Sequence, residues 1–459
     1  MGSAKKSYND VSSLADNPKL RYITFIILYF SQGIPEGITL FAIPTWMAME
    51  GKSVIEIAAY NALVIIPFSL KILLAPLIDR YTFLPMGRRK PWLLFGQAGI
   101  FLTMIILSFV VNPLENVFAL TFAALCVHVF IMFQDIATDS LVIDIVPVEQ
   151  QGKANSLMWS SKIIGTSITF FIGSWLIHHY GFKHTVLLMA LSVAVFMMLP
   201  MLIKERKGEK LFPWSPGDVS AEAAVMKIDS WKQLFHSFLN IVVLKNNLLL
   251  IAVIFITALA LHFLRTLLPV FTIQELGWNN IFFSKIFSIS NLISGISGLV
   301  VGGWIIYKYG IMKLIQSSFI FVSILVISMV FLEKFWQNSF FISGFIAVFS
   351  VSVTLINIGV FALAMKLSWK RIAAFQFTFY MTIFNGGLIA GAVLLGFLDL
   401  YFEWHILFFI FVGFISIAFG ILIFINTQNH RKQIEVLENN YIYLNHSINE
   451  NLDVTNTVD

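Results

Sequence analysis

Residues 75–92 read APLIDRYTFLPMGRRKPW. Long apolar runs flank the stretch, and its centre gathers Asp79, Arg80, Gly87, Arg88, Arg89 and Lys90. So many charges do not sit in hydrocarbon, while the flanking runs do not sit in water. The stretch is therefore a short basic loop between two membrane-spanning helices, and the rest of the chain repeats the pattern.

Of 459 residues, 58% are hydrophobic and 12% charged, and the mean hydropathy is +0.83. Soluble domains carry about a quarter charged residues, so composition excludes that class. Recurrent apolar stretches of about twenty residues define an all-α polytopic membrane protein. The expected spans are roughly 21–48, 53–78, 91–112, 116–146, 152–178, 184–203, 244–270, 281–307, 311–332, 337–366, 371–398 and 404–426. The first run is too long for a signal-peptide core and lacks a small-residue cleavage site, so it is expected to remain as the first helix. The lone cysteine, Cys126, excludes an internal disulfide or a Cys-based metal site. No metal, cofactor or nucleic acid is expected as a partner; the lipid bilayer is.

Charge placement sets the expected topology. With the N-terminus inside, the tails and even-numbered loops collect 23 of the 30 Lys and Arg residues. The opposite side holds Lys52, Lys183 and Lys334, and Lys71, Lys162, Arg265 and Lys285 fall inside spans. The positive-inside rule then places both termini in the cytoplasm. The long polar segment 204–243 splits the spans six and six. The expected organisation is a 1–20 tail, a 21–203 bundle, a 204–243 central loop, a 244–427 bundle and a polar, Asn-rich 428–459 tail expected to be mobile. Within the loop, WKQLFHSFLN has the pattern of a short amphipathic helix lying on the membrane surface. One internal echo links Gly173–Gly181, ending span five, with Gly302–Gly310, ending span eight; inverted repeats or reuse of a common helix ending both produce it.

Six plus six with a basic central loop resembles the plan of the major facilitator superfamily. The loop quoted first resembles its signature between spans two and three, with Asp79, Arg80, Gly87, Arg88 and Arg89, although Ala75 stands where glycine is usual. A carboxylate and several guanidiniums at that end can latch two bundles through ion pairs and helix-dipole contacts; simple charge anchoring would not need Asp79.

Ionisable residues inside the spans are costly and mark functional positions. At 1.5 Å per residue, Glu36 lies about 22 Å into span one, Asp135 about 17 Å from the inner end of span four, and Lys162 about 15 Å into span five. All three approach the midplane. Asp135 and Asp139 share a face of span four, and His128 extends that stripe. Lys162 is the expected partner of the carboxylates, either as a static pair or as one that alternates with a proton. Asp144 lies nearer the rim. Lys71 and Arg265 can snorkel, and Arg265 is equally readable as a ligand for an anion.

Residues 31–37, SQGIPEG, interrupt an apolar run with two glycines, a proline and a glutamate. Gly33, Pro35 and Gly37 predict a broken first helix beside a binding site, with Gln32 and Glu36, four apart, pointing the same way. A packing kink with Glu36 paired to Lys162 or Lys71 is the competing reading.

The stretches QGIPEGI, PFSLKILLAPLIDR with GRRKPWLL, FQDIATDSLVIDIVP and GKANSLMWSSKIIG resemble the AmpG muropeptide permease and acetyl-coenzyme A transporter family; AAFQFTFY at 373–380 resembles its span-eleven run. The resemblance covers most of residues 20–400 and is densest in the first five spans. It implies a major facilitator fold in the bacterial inner membrane and proton-driven import of anhydro-muropeptides for peptidoglycan recycling. By matching motif positions it implies roles for Glu36, Lys71, Gln134, Asp135, Asp139, Lys162 and Gln376. Trp159 and Lys162, three apart on span five, offer a ring and a cation to such a cargo, with Tyr380 expected to face them from the other bundle. A carrier of another polar organic anion, such as an acyl-coenzyme A, is the alternative. A membrane enzyme is disfavoured, since the chain has no HExxH, GxSxG or Walker loop.

Overall fold

The computed structural model describes residues 13–228, 230–278 and 280–456. Among these the chain is helical throughout, apart from an isolated bridge between Ser13 and Lys204. Eleven apolar helical stretches are long enough to cross a membrane. Span one is Pro18–Met49, span two Ala59–Arg80, span three Lys90–Ser108 and span four Val117–Ile145. Val148–Met201 holds spans five and six, because Gly181 (φ 79°, ψ 166°) breaks it into two helices. Spans seven to twelve are Lys245–Glu275, Lys285–Tyr309, Ile311–Phe331, Ser339–Lys366, Lys370–Leu398 and Trp404–Ile423. The expected twelve spans are therefore present, in two six-helix bundles. Gly310 ends span eight with φ 85° and ψ 165°, nearly the values at Gly181, so the two echoed sequences share one positive-φ turn.

Both described ends lie on one face, which we call the terminal face. Leu14 and Ala15 donate to the carbonyls of Lys204 and Glu205 just after span six. The tail was expected to be mobile; instead Thr427–Asn456 is helical. It docks on the loop between spans ten and eleven. Glu438 pairs with Arg371 and accepts from Trp369 Nε1 at 2.5 Å, and His430 meets the Leu367 carbonyl at 2.8 Å. The loop helix Trp231–Val242 forms as expected, with a Ser230–Gln233 capping box. Leu234 and Ile241 on its apolar face pack on Trp369, Ile372 and Phe375, so protein covers part of the surface expected to meet lipid.

Span one is not broken at residues 31–37. The α-helix runs through Pro18–Glu36, and a π-turn, Gly37–Ala42, follows directly. The glycines serve packing. A Cβ on Gly33 would stand 2.5 Å from the Thr166 backbone nitrogen, and one on Gly165 would stand 2.5 Å from the Phe30 carbonyl. Spans one and five thus touch backbone to backbone, the close approach that small residues allow in membranes.

In the terminal half the two bundles share one apolar core, with Leu141, Ala154 and Met158 in the same cluster as Ile306, Ile311 and Phe361. Ala75, Ile78, Met132 and Ile136 also pack with Ala374 of span eleven. In the far half the first bundle has a core of its own, around Ile38, Tyr60, Ile100, Val127 and Val186. The apolar core shared by the bundles thus extends through the terminal half.

Candidate functional site

Two ion pairs occupy the middle of the first bundle. Lys162 Nζ lies 2.7 Å from Glu36 Oε1. Lys71 pairs with Asp135, and both side chains are nearly inaccessible. Span two bends there: its helix is interrupted at Leu70, which frees Lys71 to begin a new helix and point inward. Gln32 Nε2 donates to Asp135 at 2.6 Å, so Gln32 and Glu36 serve different partners. Asp135 was expected beside Lys162; its ion-pair partner is Lys71. Depth along a helix is legible in spacing, but the angle between helices is not. Asp139 accepts from the hydroxyl of Tyr29, a residue the sequence reading passed over because a tyrosine in an aromatic-rich span carries no signal. Gln134 donates to the Leu28 carbonyl at 3.2 Å.

The ring of Phe68 ties the pairs together, with Lys71 Nζ 5.3 Å and Lys162 Nζ 5.8 Å from its centre. Trp159, one turn from Lys162, stacks on Phe361 of span ten at 4.8 Å, and its buried Nε1–H has no acceptor among the described residues. Tyr380 does not face it, as had been expected. Gln376 Nε2 donates to Tyr380, whose hydroxyl donates to Asn247, each at 2.7 Å. Gln376 also accepts from the Trp369 amide at 2.7 Å. These two residues brace the start of span eleven instead. His128 meets Thr39 at 2.7 Å through Nε2, while its buried Nδ1 has no partner among the described residues.

The residues of 75–92 build a second site. Arg89 reaches Asp79 at 2.7 Å and Asp144 at 2.8 Å, and Arg88 reaches Asp144 at 3.1 Å. Arg88 also donates to the carbonyls of Lys370 and Arg371 at 3.2 and 2.9 Å. Asp79 accepts from the amides of Ala374 and Phe375 at 3.3 and 2.8 Å, capping the N-terminus of span eleven from the other bundle. Arg80 stands apart, donating to Ile228 of the central loop at 3.2 Å. Asp144 and Glu205 complete the arrangement. Asp144 had a signal, as a third acid in the span-four stretch. Glu205 had none: it accepts from the amides of Arg88 at 3.0 Å and Arg89 at 2.7 Å and from that of Lys90, capping span three. Gly87 admits this carboxylate, since φ is 103° and a Cβ would meet Glu205 Cδ at 2.4 Å. Burial raises the Glu205 carboxyl, and burial beside Glu205 lifts that of Glu209 to about 7.

Twelve helices in two bundles, latched at one face around mid-membrane ion pairs, define a secondary transporter and not an enzyme. The chain belongs to the Major Facilitator Superfamily, whose family model matches residues 25–389. It is 27% identical over 156 residues to the anhydromuropeptide permease of Escherichia coli strain K12, covering 34% of this chain and 31% of that one. An uncharacterised Haemophilus influenzae protein is 29% identical over 180 residues, 39% of this chain and 42% of that one. The matches thus span less than half of each relative. Among solved structures, a bacterial homologue of the iron transporter ferroportin superposes with TM-score 0.64 at 15% identity, covering 88% of this chain and 98% of that one. The transporter FucP gives 0.63 at 13% identity, covering 90% and 99%. At these identities the likeness concerns the fold alone. The chain is a multi-pass integral membrane protein.

Proposed function

We propose that the protein imports anhydro-muropeptides or related amino-sugar products by proton-coupled alternating access, for peptidoglycan recycling. The observation that carries the reading is the double ion pair, Glu36–Lys162 and Lys71–Asp135, held between spans one, two, four and five. Buried pairs of this kind exchange a lysine partner for a proton when cargo or field perturbs them, and each exchange changes what the two bundles hold between them. Trp159, with its free Nε1–H beside Lys162, offers a stacking face and a donor to a sugar amide. The name of the Escherichia coli relative supports the cargo class. Because that match covers about a third of each chain, a different polar organic anion is the competing cargo.

In this reading the terminal face lies in the cytoplasm, and the structure corresponds to the outward-facing state. The bundles 21–203 and 244–427 rock about the central site; the 1–20 tail, the 204–243 loop and the 428–459 tail stay cytoplasmic. Asp79, Arg88, Arg89 and Asp144 form the inner latch. The test is uptake of labelled N-acetylglucosaminyl-anhydromuramic acid in a strain lacking its own muropeptide permease. Intact protein, Glu36→Gln and Asp135→Asn are compared with and without a protonophore. The expected result is uptake that collapses with protonophore and in at least one variant. No uptake by protein present in the membrane removes the cargo assignment, and protonophore-insensitive uptake removes the coupling.

A further inference from the structure

At the centre of the first bundle Lys71 and Lys162 are each held by a carboxylate, so neither is free to meet an anionic cargo. The second bundle carries a cation without such a partner. Arg265 lies in the far half of span seven, about 30 Å along the helix from Lys245. Among the described residues no carboxylate pairs with it; the ring of Phe287 on span eight lies 5.1 Å from the guanidinium carbon.

Its position in the helix tells which way it faces. Ile254, Ala258, Leu261 and Leu268 share its row of span seven, and all four are buried. Arg265 alone in that row is exposed. His262 and Pro269, one turn away on its other side, are partly exposed, so Arg265 stands at the edge of the buried stripe, beside span eight. Span seven packs mainly on spans eleven and twelve and span eight on spans five and ten, so the two touch each other little.

We propose that Arg265 anchors a carboxylate of the cargo, in a charge-assisted bidentate pair backed by the Phe287 ring. This rests on the transport reading above and deepens it: the cargo must be an anion. A single carboxylate there neutralises the guanidinium, so the pair crosses the low-dielectric stage of transport without net charge. A neutral cargo would leave the guanidinium unpaired when the far side closes.

Two arms test it. In a Cys126→Ser background, Arg265→Cys should react rapidly with a membrane-impermeant thiosulfonate added from the far side. If only a lipid-soluble maleimide labels it, the residue faces lipid and the proposal falls. The second arm measures uptake of N-acetylglucosaminyl-anhydromuramic acid and of the same disaccharide with its lactyl carboxylate converted to the methyl amide. Arg265→Gln should raise KM for the acid about tenfold, as loss of one charge-assisted pair does, with little change in kcat. Arg265→Lys should recover part of the loss, and the amide should be handled alike by the intact protein and Arg265→Gln. Equal effects on both cargoes, or none, overturn the assignment. If the intact protein moves neither compound, the muropeptide reading fails on its own. Thermal stabilisation of purified protein by a panel of sugar carboxylates and their amides then decides the anchor. Stabilisation confined to the acids and lost in Arg265→Gln upholds it; any other pattern overturns it.

Discussion

A buried lysine and a buried aspartate are worth little to each other in net stability, but much to whichever is left alone. Lys71 and Asp135 have both been taken out of water, and their attraction, with the Gln32 amide, roughly balances that cost. Asp135→Asn should therefore destabilise the protein by about 3–5 kcal/mol, because Lys71 loses its counter-ion. The double variant Lys71→Met/Asp135→Leu should recover most of that loss. Thermal unfolding in detergent reads this directly, and uptake measured beside it separates two roles. A pair that only fixes packing gives a double variant that is stable and transports. A pair that couples transport gives one that is stable and inert. The sequence placed Glu36, Asp135 and Lys162 at one depth through their distances from helix ends, and read Lys71 as able to snorkel. It did not place them in azimuth, which is why the partner of Asp135 was read as Lys162 and why Tyr29 went unnoticed beside Asp139.

At the scale of elements, the helices followed from apolar run length, and the bends did not. Proline and glycine at 33–37 read as a break, yet the helix continues and widens into a π-turn one residue later. What decided the outcome was span five: Gly33 and Gly165 hold two backbones in contact, a pairing invisible within either segment. The tail misled in the opposite sense. Polar composition argued for a mobile end, but Glu438, His430 and Tyr441 find partners on the span ten–eleven loop, with the Arg371 guanidinium 3.9 Å from the Tyr441 ring. Arg371 in turn presents the carbonyl that Arg88 bonds, so the tail helix braces a segment of the latch. Glu438→Gln should therefore speed amide hydrogen exchange at Trp369–Ile372 while leaving the far ends of the spans unchanged. Unaltered exchange at those amides would make the tail a passenger. The tail's exposed pair to the first bundle, Arg431–Glu149 at 3.3 Å, should contribute at most about 1 kcal/mol, so its removal serves as the control.

For the whole molecule, the question is what holds the terminal face shut. Besides the shared apolar core, two kinds of polar contact cross between the bundles at the terminal face. One is the charged latch, where Asp79 caps span eleven and Arg88 bonds the preceding loop. The other is a seam of small residues between spans five and eight: Ser156 donates to the Gly298 carbonyl at 2.8 Å, and a Cβ on Gly302 would stand 3.2 Å from Ser156 Oγ. The latch was legible in the sequence because charges in a short loop need a reason; the seam was not, because serine and glycine at helical spacing have many uses. The seam offers the sharper measurement. In a Cys126→Ser background, Ser156→Cys with Gly302→Cys places two thiols within reach of a disulfide. Mild oxidation should crosslink them, stop transport, and be reversed by reductant, since the bundles must separate along this seam to open the terminal face. Adding Asp79→Asn removes the charge that caps span eleven and pairs with Arg89, so the closed population should fall and the crosslink should form several-fold more slowly. A crosslink that forms readily yet leaves transport intact would mean that spans five and eight stay together through the cycle, and the opening would have to be sought between spans two and eleven. A crosslinking rate untouched by Asp79→Asn would instead assign closure of this face to the apolar packing around Ala75, Ile78, Met132, Ile136 and Ala374, with the charges only following it.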